Sequence, residues 1–442
     1  MIELDAYLES DYYGRFSEGD RPGDLTFTYD ESAPATPISL SLPRDGRASR
    51  FAAANLLDNL LPDRDEVRER MKKSYGATGT DTLSLLAVAG GDIAGGLVLV
   101  PAGADLHQDV PILDPALDED IADRIAAIKR DPDAWMSANG PARFSLAGSQ
   151  GKFALAKYEG EWYWSNRTLP STHIIKPAPS RLPGIEPIES DTLTLANIVG
   201  VPSAKASVLH MLDQQAFLVE RFDRAPTETV AAQRIHAEDF AQASGISTKR
   251  KYDQTAKQAI DLLRTAEQTD PDIEYDFLRQ LAFNTMIGNA DAHAKNYSVL
   301  VRPDRISLAP LYDAVPVLLY PGYDQNLAMD ISGAARPQAA TLDHWCKLAR
   351  TTGLDVDRTE HEIRTLAAAM DGAIDDAWPN IEPVQRDELL PQVRRNIRAA
   401  ISDSATTKSS TASQSRQPKG APRSKGGEYK GHERNEAEVT LS

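Results

Sequence analysis

The chain has 442 residues, 41% hydrophobic and 26% charged, a composition of soluble globular proteins and enough length for two or three domains with a sizeable core. Its formal net charge of −17 argues against a protein that grips nucleic acid over its whole surface, because Lys and Arg neutralising phosphate supply most nonspecific affinity. No membrane span is expected: the most apolar region, Leu83 to Ala104, is broken by Asp92 and five glycines, and no segment at the start resembles a signal peptide. The single cysteine, Cys346, excludes an intramolecular disulfide, fits a reducing cytoplasm and reads as a small buried hydrophobe. Charge is uneven along the chain. From Ser404 to Ser442 there are seven Lys or Arg against four Glu, net +3, so residues 1–403 carry −20, and such an acidic body suits a basic partner.

In chain order, LTFTY at Leu25–Tyr29 and ISLSL at Ile38–Leu42 read as strands separated by Pro-rich turns. A helix follows Asp45-Gly46, with Phe51, Leu56, Leu57, Leu60 and Leu61 on one side and Pro62 as its stop. A second helix, from about Asp65 to Lys73, interleaves charges and reads as a surface helix; Thr80-Asp81 caps a third, and GGLVLVP at Gly95–Pro101 reads as a closing strand. None of these residues proposes chemistry. An Asp- and Pro-rich linker spans Pro101 to Pro115.

The stretch RFSLAGSQGKFALAK, Arg143 to Lys157, places Gly148, Ser149 and Gly151 between strand-like RFSL and FALAK. Such a loop lets backbone N–H groups approach phosphate oxygens, although an ordinary hairpin turn has the same composition. It is no Walker A loop, because Lys152 is followed by Phe153 and a strand instead of Ser or Thr and a helix. THIIKP then forms a short strand ending in Lys176, whose ammonium needs anionic company if the strand is central. Glu189 opens a helix, ESDTLTLANIVG, an arrangement like the kinase strand lysine steered by a helix glutamate, although singly the two also read as an edge-strand lysine and a first-turn helix glutamate. Strands at Ala204–Met211 and Ala216–Glu220 run into FLVERFDR; if the glycine loop and Lys176 belong to an N-terminal lobe, the Glu220 to Phe222 backbone is placed as a hinge for adenine and Asp223 falls near the ribose.

Leu281 to Asp313 carries the densest signal. Phe277, Leu278, Leu281, Ala282 and Met286 recur at helical spacing up to a Gly288-Asn289 cap, then come the polar loop NADAHAKN and a hairpin, Tyr297–Val301 and Ile306–Leu308, that delivers Asp313. Asp291 and Asn296 are five apart, the spacing that in protein kinases separates the base from a metal-binding Asn, and Asp313 stands where a second metal carboxylate belongs. Mg²⁺ demands hard oxygen ligands, while the nucleophile needs a carboxylate the metal does not consume, so one Asp cannot serve both needs. Taken alone, the same residues suit any polar turn.

The ordered set of glycine loop, strand lysine, helix glutamate, hinge, Asp, Asn and second Asp resembles the HipA-like serine/threonine kinases, toxins of type II toxin–antitoxin modules. The resemblance rests on SLAGSQGKFAL, THIIKP, FLVERFDR, RIHAEDFAQASG, NADAHAKN and LAPLYD, over about Arg143 to Asp313, while LLDNLLPDRDEVRERM looks like the family's N-terminal subdomain. It implies an α+β, two-lobed protein-kinase-like fold with an N-terminal accessory β/α subdomain and a mostly helical C-terminal lobe: residues 1–105, 106–223 and 224–403, before a tail, 404–442, too polar to bury a core. It implies ATP and Mg²⁺ as cofactors and an aminoacyl-tRNA synthetase as the kind of target. A small helix-turn-helix antitoxin is the expected partner, and DNA is met mainly through it. Catalysis falls to Asp291, Lys176 and Glu189; nucleotide binding to Ala147, Gly148, Ser149, Gln150, Gly151, Lys152, Lys176, Glu220, Phe222, Asp223, His293, Lys295, Asn296 and Asp313; the metal to Asn296 and Asp313. Ser145 maps to the family's silencing autophosphorylation site, with Ser149 as a rival. The chain departs from the pattern at Gly151, where the family often has Glu or Pro, and His293 follows the catalytic Asp where ordinary protein kinases have it preceding. A catalytically silent nucleotide-binding scaffold and a small-molecule phosphotransferase are the competing readings.

Overall fold

The computed structural model describes residues 2–403 apart from 20, 22, 105–111, 136–143, 180, 228–231 and 267. The expectations for Arg143 and for the tail from Ser404 lie outside the described residues. Three units follow one another along the chain.

The first is an antiparallel sheet, β1 (Leu4–Leu8), β2 (Asp11–Glu18), β3 (Leu25–Tyr29) and β4 (Leu97–Pro101) in the order β3-β2-β1-β4, covered by α1 (Ala52–Asp58), α2 (Asp65–Tyr75) and α3 (Thr82–Ala89). Leu4, Phe16, Leu57, Leu61, Val67, Met71 and Leu86 form its core. Asp81 caps α3 by accepting from the Ser84 backbone. The α2 helix is no mere surface helix: Val67, Met71 and Tyr75 recur every four residues and are buried. Ile38–Leu42 is not a strand. Its polar groups are taken by side chains, with Tyr29 Oη accepting from Ile38 N at 2.9 Å and donating to Leu42 O at 2.6 Å, and Glu238 accepting from Leu40 N at 2.8 Å, which leaves no ladder to build.

In the second unit α4 (Asp118–Arg130) precedes a five-stranded antiparallel sheet. Its strands are β5 (Phe153–Tyr158), β6 (Glu161–Trp164), β7 (His173–Lys176), β8 (Ala206–Met211) and β9 (Gln214–Glu220), in the order β6-β5-β7-β9-β8. The α5 helix (Ile185–Ile198) is inserted between β7 and β8. Strand alternation sends Phe217 and Val219 towards α5, while Ala216 and Leu218 pack with Ile121, Ile125 and Ile128 of α4. Phe144 to Leu146 is not strand; Phe144 and Leu146 are instead buried against α4, and Ser145 N donates to Asp92 O at 3.0 Å. A two-residue pair, β10 (Arg224–Ala225) with β11 (Gln233–Arg234), leads out of the sheet.

The third unit holds β12 (His236–Asp239), the short α6 (Phe240–Ala243), α7 (Ala256–Thr265), α8 (Ile273–Ile287), the hairpin β13 (Ser298–Arg302) and β14 (Arg305–Leu308), and then α9 (Leu342–Thr352), α10 (Val356–Ala373) and α11 (Pro383–Ala400). β12, β13 and β14 form one sheet, and Phe277, Phe283, Met286, Trp345, Met370 and Trp378 fill the largest core. The result is an α+β, two-lobed kinase-like fold with an accessory N-terminal unit. No helix among the described residues is long and apolar enough to cross a membrane. Cys346 is buried, and burial pushes its thiol up.

Candidate active site

The α8 helix ends at Gly288, whose φ of 79° is a left-handed cap; a Cβ there would meet the Leu318 side chain. Beyond it the loop organises itself through its own polar groups. Asn289 Nδ2 donates to Asn284 Oδ1 at 3.0 Å, and Asn289 Oδ1 accepts from Asp291 N at 3.2 Å. His293 N donates to Asp291 O at 2.7 Å and to Asn296 Oδ1 at 3.1 Å, closing a single 3-10 turn at Ala294–Asn296. After the hairpin, Leu311 N donates to Pro202 O and Leu311 O accepts from Ala204 N, both at 2.8 Å, so the segment carrying Asp313 is sewn to the sheet lobe. Asp313 has a φ of 55°, a left-handed conformation that a non-glycine residue holds at a cost of roughly 1–3 kcal/mol, as residues in functional sites often do.

These segments converge on one chain of bonds. Asn296 Nδ2 donates to Asp313 Oδ2 at 2.7 Å, and Lys176 Nζ donates to Asp313 Oδ1 at 2.7 Å and to Glu189 Oε1 at 3.1 Å. Lys176 faces α5 because β7 and β9 pair with Lys176 opposite Phe217, whose ring centroid is 5.4 Å from the ammonium. Glu189 lies in the second turn of α5, not at its start, because the helix begins at Ile185 after Gly184. Burial alone would push Lys176 down, but the Asp313 and Glu189 carboxylates outweigh it and hold the lysine charged. Burial, helped by repulsion from Asp313, pushes the Glu189 carboxyl up despite Lys176.

The glycine segment lies over this chain. Gly148, at φ 99°, accepts at its carbonyl from Asp63 N at 3.1 Å, while Ser145 Oγ donates to Leu60 O at 2.8 Å and is buried. Lys152 Nζ donates to Ala147 O at 2.7 Å; burial, then the neighbouring Lys176 charge, pushes it down to about 8. Ala147, Gly148 and Lys152 line a cleft together with Lys176, Glu189, Glu220, Phe222, Asp223, Lys295, Asn296 and Asp313. Ser149, Gln150 and Gly151 are not part of that lining. Gly151 owes its missing side chain to packing, since a Cβ would lie 2.6 Å from Ile128 Cγ2 and 2.8 Å from Pro132 O, so Glu or Pro has no room there. Asp291 and His293 stand on the same loop outside the lining. His293 is buried, its ring edge-to-face with Tyr252 at 4.9 Å, and burial followed by the Lys251 and Lys295 charges pushes it well below the usual range, so the imidazole is neutral.

Asp223 lines the cleft with both carboxylate oxygens held by protein groups. Arg221 Nε and Nη2 bind its two oxygens at 2.9 and 2.7 Å, Gly95 N donates at 2.7 Å and Arg224 pairs at 3.2 Å. Burial opposes its charge, but the arginines outweigh it and hold the carboxyl well below the usual range. Its work is to bolt the hinge to the N-terminal unit, where Arg224 also meets Asp92 at 3.2 Å and Arg221 donates to Ile93 O at 2.8 Å. Lys295 is another tie: its Nζ donates to Asn59 O at 3.0 Å and Asn59 Oδ1 at 2.9 Å, with Asp239 at 3.2 Å. Sequence reasoning missed Asn59, Asp63, Tyr252, Gln242 and Tyr312; only the last two line the cleft, and the others act across 39 or more residues of chain. Among the described residues no group of three or more His, Cys, Asp or Glu could hold a metal. Asn296 and Asp313, adjacent and oxygen-bearing, nonetheless suit a Mg²⁺ that keeps waters and takes its remaining ligands from phosphates.

The HipA N-terminal domain model matches residues 4–100, and the HipA-like C-terminal domain model matches residues 144–378, more than half the chain. The chain belongs to the HipA family. The serine/threonine-protein kinase toxin HipA of Shewanella oneidensis is 30% identical over 380 residues, 82% of this chain and 86% of that one. Y4mE of Sinorhizobium fredii, whose name marks it as a candidate kinase, is 30% identical over 82% of this chain and 89% of its own length. A solved Shewanella oneidensis complex of HipA, HipB and operator DNA contains a chain that superposes with a TM-score of 0.75 at 26% identity, covering 90% of this chain and 97% of that one. In this HipA-family chain the C-terminal match encloses the whole run from Ser145 to Asp313, and the N-terminal match carries Asn59, Asp63 and Asp92, the residues tied to it.

Proposed function

We propose that the chain is an ATP- and Mg²⁺-dependent serine/threonine protein kinase acting as the toxin of a HipA-type module in the cytoplasm. The observation that carries this is the unbroken chain Glu189–Lys176–Asp313–Asn296 along one cleft, with Asp291 five residues before Asn296 on the same loop. Glu189 steers the Lys176 ammonium, which meets the α- and β-phosphates, and Lys152 with the Gly148 backbone faces the rest of the triphosphate. Ile174, Ala204 and Val219 offer the purine an apolar slot beside the Glu220–Phe222 hinge. Asn296 and Asp313 would hold the metal, which when bound neutralises charge developing on the phosphates. Asp291 takes the proton of the acceptor hydroxyl as that oxygen attacks the γ-phosphorus, and the bond to the β-phosphate oxygen breaks to release ADP.

The target fits a translation factor such as an aminoacyl-tRNA synthetase, whose modification would arrest growth. A helix-turn-helix antitoxin of the HipB kind is the proposed partner; it supplies the cationic surface that an acidic body lacks, and the pair represses its own operon. Phosphorylation of Ser145 silences the enzyme, because its hydroxyl must first leave the Leu60 carbonyl and the added charge then bars the loop's return. Intact-mass spectrometry of the purified protein, before and after Mg-ATP, beside Asp291→Asn, tests the reading. A phosphate gained on Ser145, with transfer slowed by roughly 10²–10⁴-fold in the variant, is expected from loss of a general base. ATP binding without any phosphate gained would favour the silent scaffold.

A further inference from the structure

The loop joining α6 to α7 lies outside the nucleotide cleft, yet it is fastened to the catalytic loop in three chemically different ways and to the N-terminal unit in a fourth. Ala294 N donates to Lys251 O at 3.1 Å, and Lys251 Nζ pairs with Asp63 at 3.0 Å. The Tyr252 hydroxyl donates to Asp291 Oδ1 at 2.7 Å, and the Tyr252 ring meets the His293 ring edge-to-face, centroids 4.9 Å apart at 80°.

Rotation of an aspartate carboxylate about its last bond is soft, so packing around the Cβ does not settle which way its oxygens face. A phenol held at a fixed angle by a neighbouring ring does settle it. The donor is also uncharged, so it orients the carboxylate with less loss of basicity than a lysine or arginine would cause, since hydrogen bonds from charged donors are roughly twice as strong. Lys251, next in sequence, points its ammonium at Asp63, 3.0 Å away, so the bond to Asp291 is left to the Tyr252 hydroxyl. Tyr323, from the segment after Asp313, also feels the Asp291 charge, and burial first, then that charge, pushes its hydroxyl up. Tyr252 is only half-buried and belongs to no hydrophobic cluster, so its hydroxyl has little to do for the core.

We infer that Tyr252 is a positioning residue for phosphoryl transfer, aiming the Asp291 carboxylate at the acceptor hydroxyl through the 2.7 Å bond between them. The inference rests on the kinase reading above. The test is Tyr252→Phe, which keeps the ring against His293 and deletes the donor. Full-length protein is given [γ-³²P]ATP with Mg²⁺, and label is followed into the protein itself and, as released phosphate, into water. The expected result is a kcat lower by about tenfold with KM for ATP within about twofold, as for a group that acts on geometry at the reacting end. The melting temperature should not change. On the Asp291→Asn background, Tyr252→Phe should cause no further loss, because its only route to the rate is through that carboxylate. A wild-type rate in Tyr252→Phe would overturn the inference. So would a loss of equal size on both backgrounds, or one confined to KM, since either marks a structural role. Wild-type protein that binds ATP but labels neither acceptor would instead overturn the kinase reading, and this role with it.

Discussion

Replacing Lys176 by methionine keeps most of the stem against Phe217 and deletes the ammonium that bridges Glu189 at 3.1 Å and Asp313 at 2.7 Å. Removing one partner of a buried ion pair costs about 3–5 kcal/mol, because the remaining charge stays out of water without compensation. Here the cost is capped by protonation, and the Glu189 carboxyl is already pushed up by burial with the lysine in place. In the variant the Glu189 carboxyl, already raised by burial and now without its cation, has a folded value above its unfolded one. Its contribution is therefore complete below the ordinary carboxylate range and is lost as pH rises through the raised value. The deficit against wild type should be about 1 kcal/mol near pH 5 and about 3–5 kcal/mol near pH 8. With an unfolding entropy of roughly 0.8 kcal/mol/K for about 400 ordered residues, that is a melting-temperature gap of about 1 °C at pH 5 and about 4–6 °C at pH 8. Scanning fluorimetry across that range reads it directly. A gap that does not widen with pH, or one below about 1 °C at pH 8, would refute the bridging role assigned to Lys176.

Two further outcomes are expected from buried polar contacts. Glu238, pushed up to about 7 by burial, accepts from Ser39 Oγ at 2.6 Å and Leu40 N at 2.8 Å, so its contribution to stability is complete below its ordinary range and is lost as pH rises through about 7. Glu238→Gln keeps an acceptor for Leu40 and a donor for Ser39, and should flatten the fall in melting temperature between pH 6 and 8 by an amount on the order of 1 kcal/mol. An identical slope in the variant would place the titration elsewhere. Ser145→Asp sets a carboxylate against the Leu60 carbonyl in place of a donor, so the glycine segment should leave its berth on Leu60 and Pro62. ADP affinity should fall by about tenfold or more, and trypsin should cut sooner at Lys152, which is now only 7% exposed. Unchanged affinity and cleavage would show that the segment does not need that bond.

The stretch from Leu281 to Asp313 was legible because its determinants are local: a helical stripe ending in a glycine cap, a loop whose Asn and Asp residues bond within a few residues of one another, and a hairpin. Lys176 was legible for a similar reason, since a lysine at the end of a β-branched run demands an anion wherever the strand lies. The likeness of six short motifs, taken in order, then pointed to the two-lobed fold. Elsewhere, local pattern and final structure part company. Ile38–Leu42 alternates like a strand but spends its hydrogen bonds on Tyr29 and Glu238. Leu4–Leu8 and Asp11–Glu18 carry weak patterns and become strands through their neighbours in the sheet. The charged run from Asp118 to Arg130 drew no notice in sequence and became a helix whose Ile121, Ile125 and Ile128 fill the core beside the glycine segment.

The sequence alone determined which groups can do chemistry and in what order they come along the chain, because acidity, metal affinity and turn formation belong to a residue and its nearest neighbours. Only the tertiary structure decided how those groups are held. It set Asp223 between Arg221 and Arg224, gave Lys295 to Asn59, and brought Tyr252 onto Asp291 across 39 positions. Such partners are chosen by close packing, and no spacing along the chain records which surfaces will meet once the core has formed.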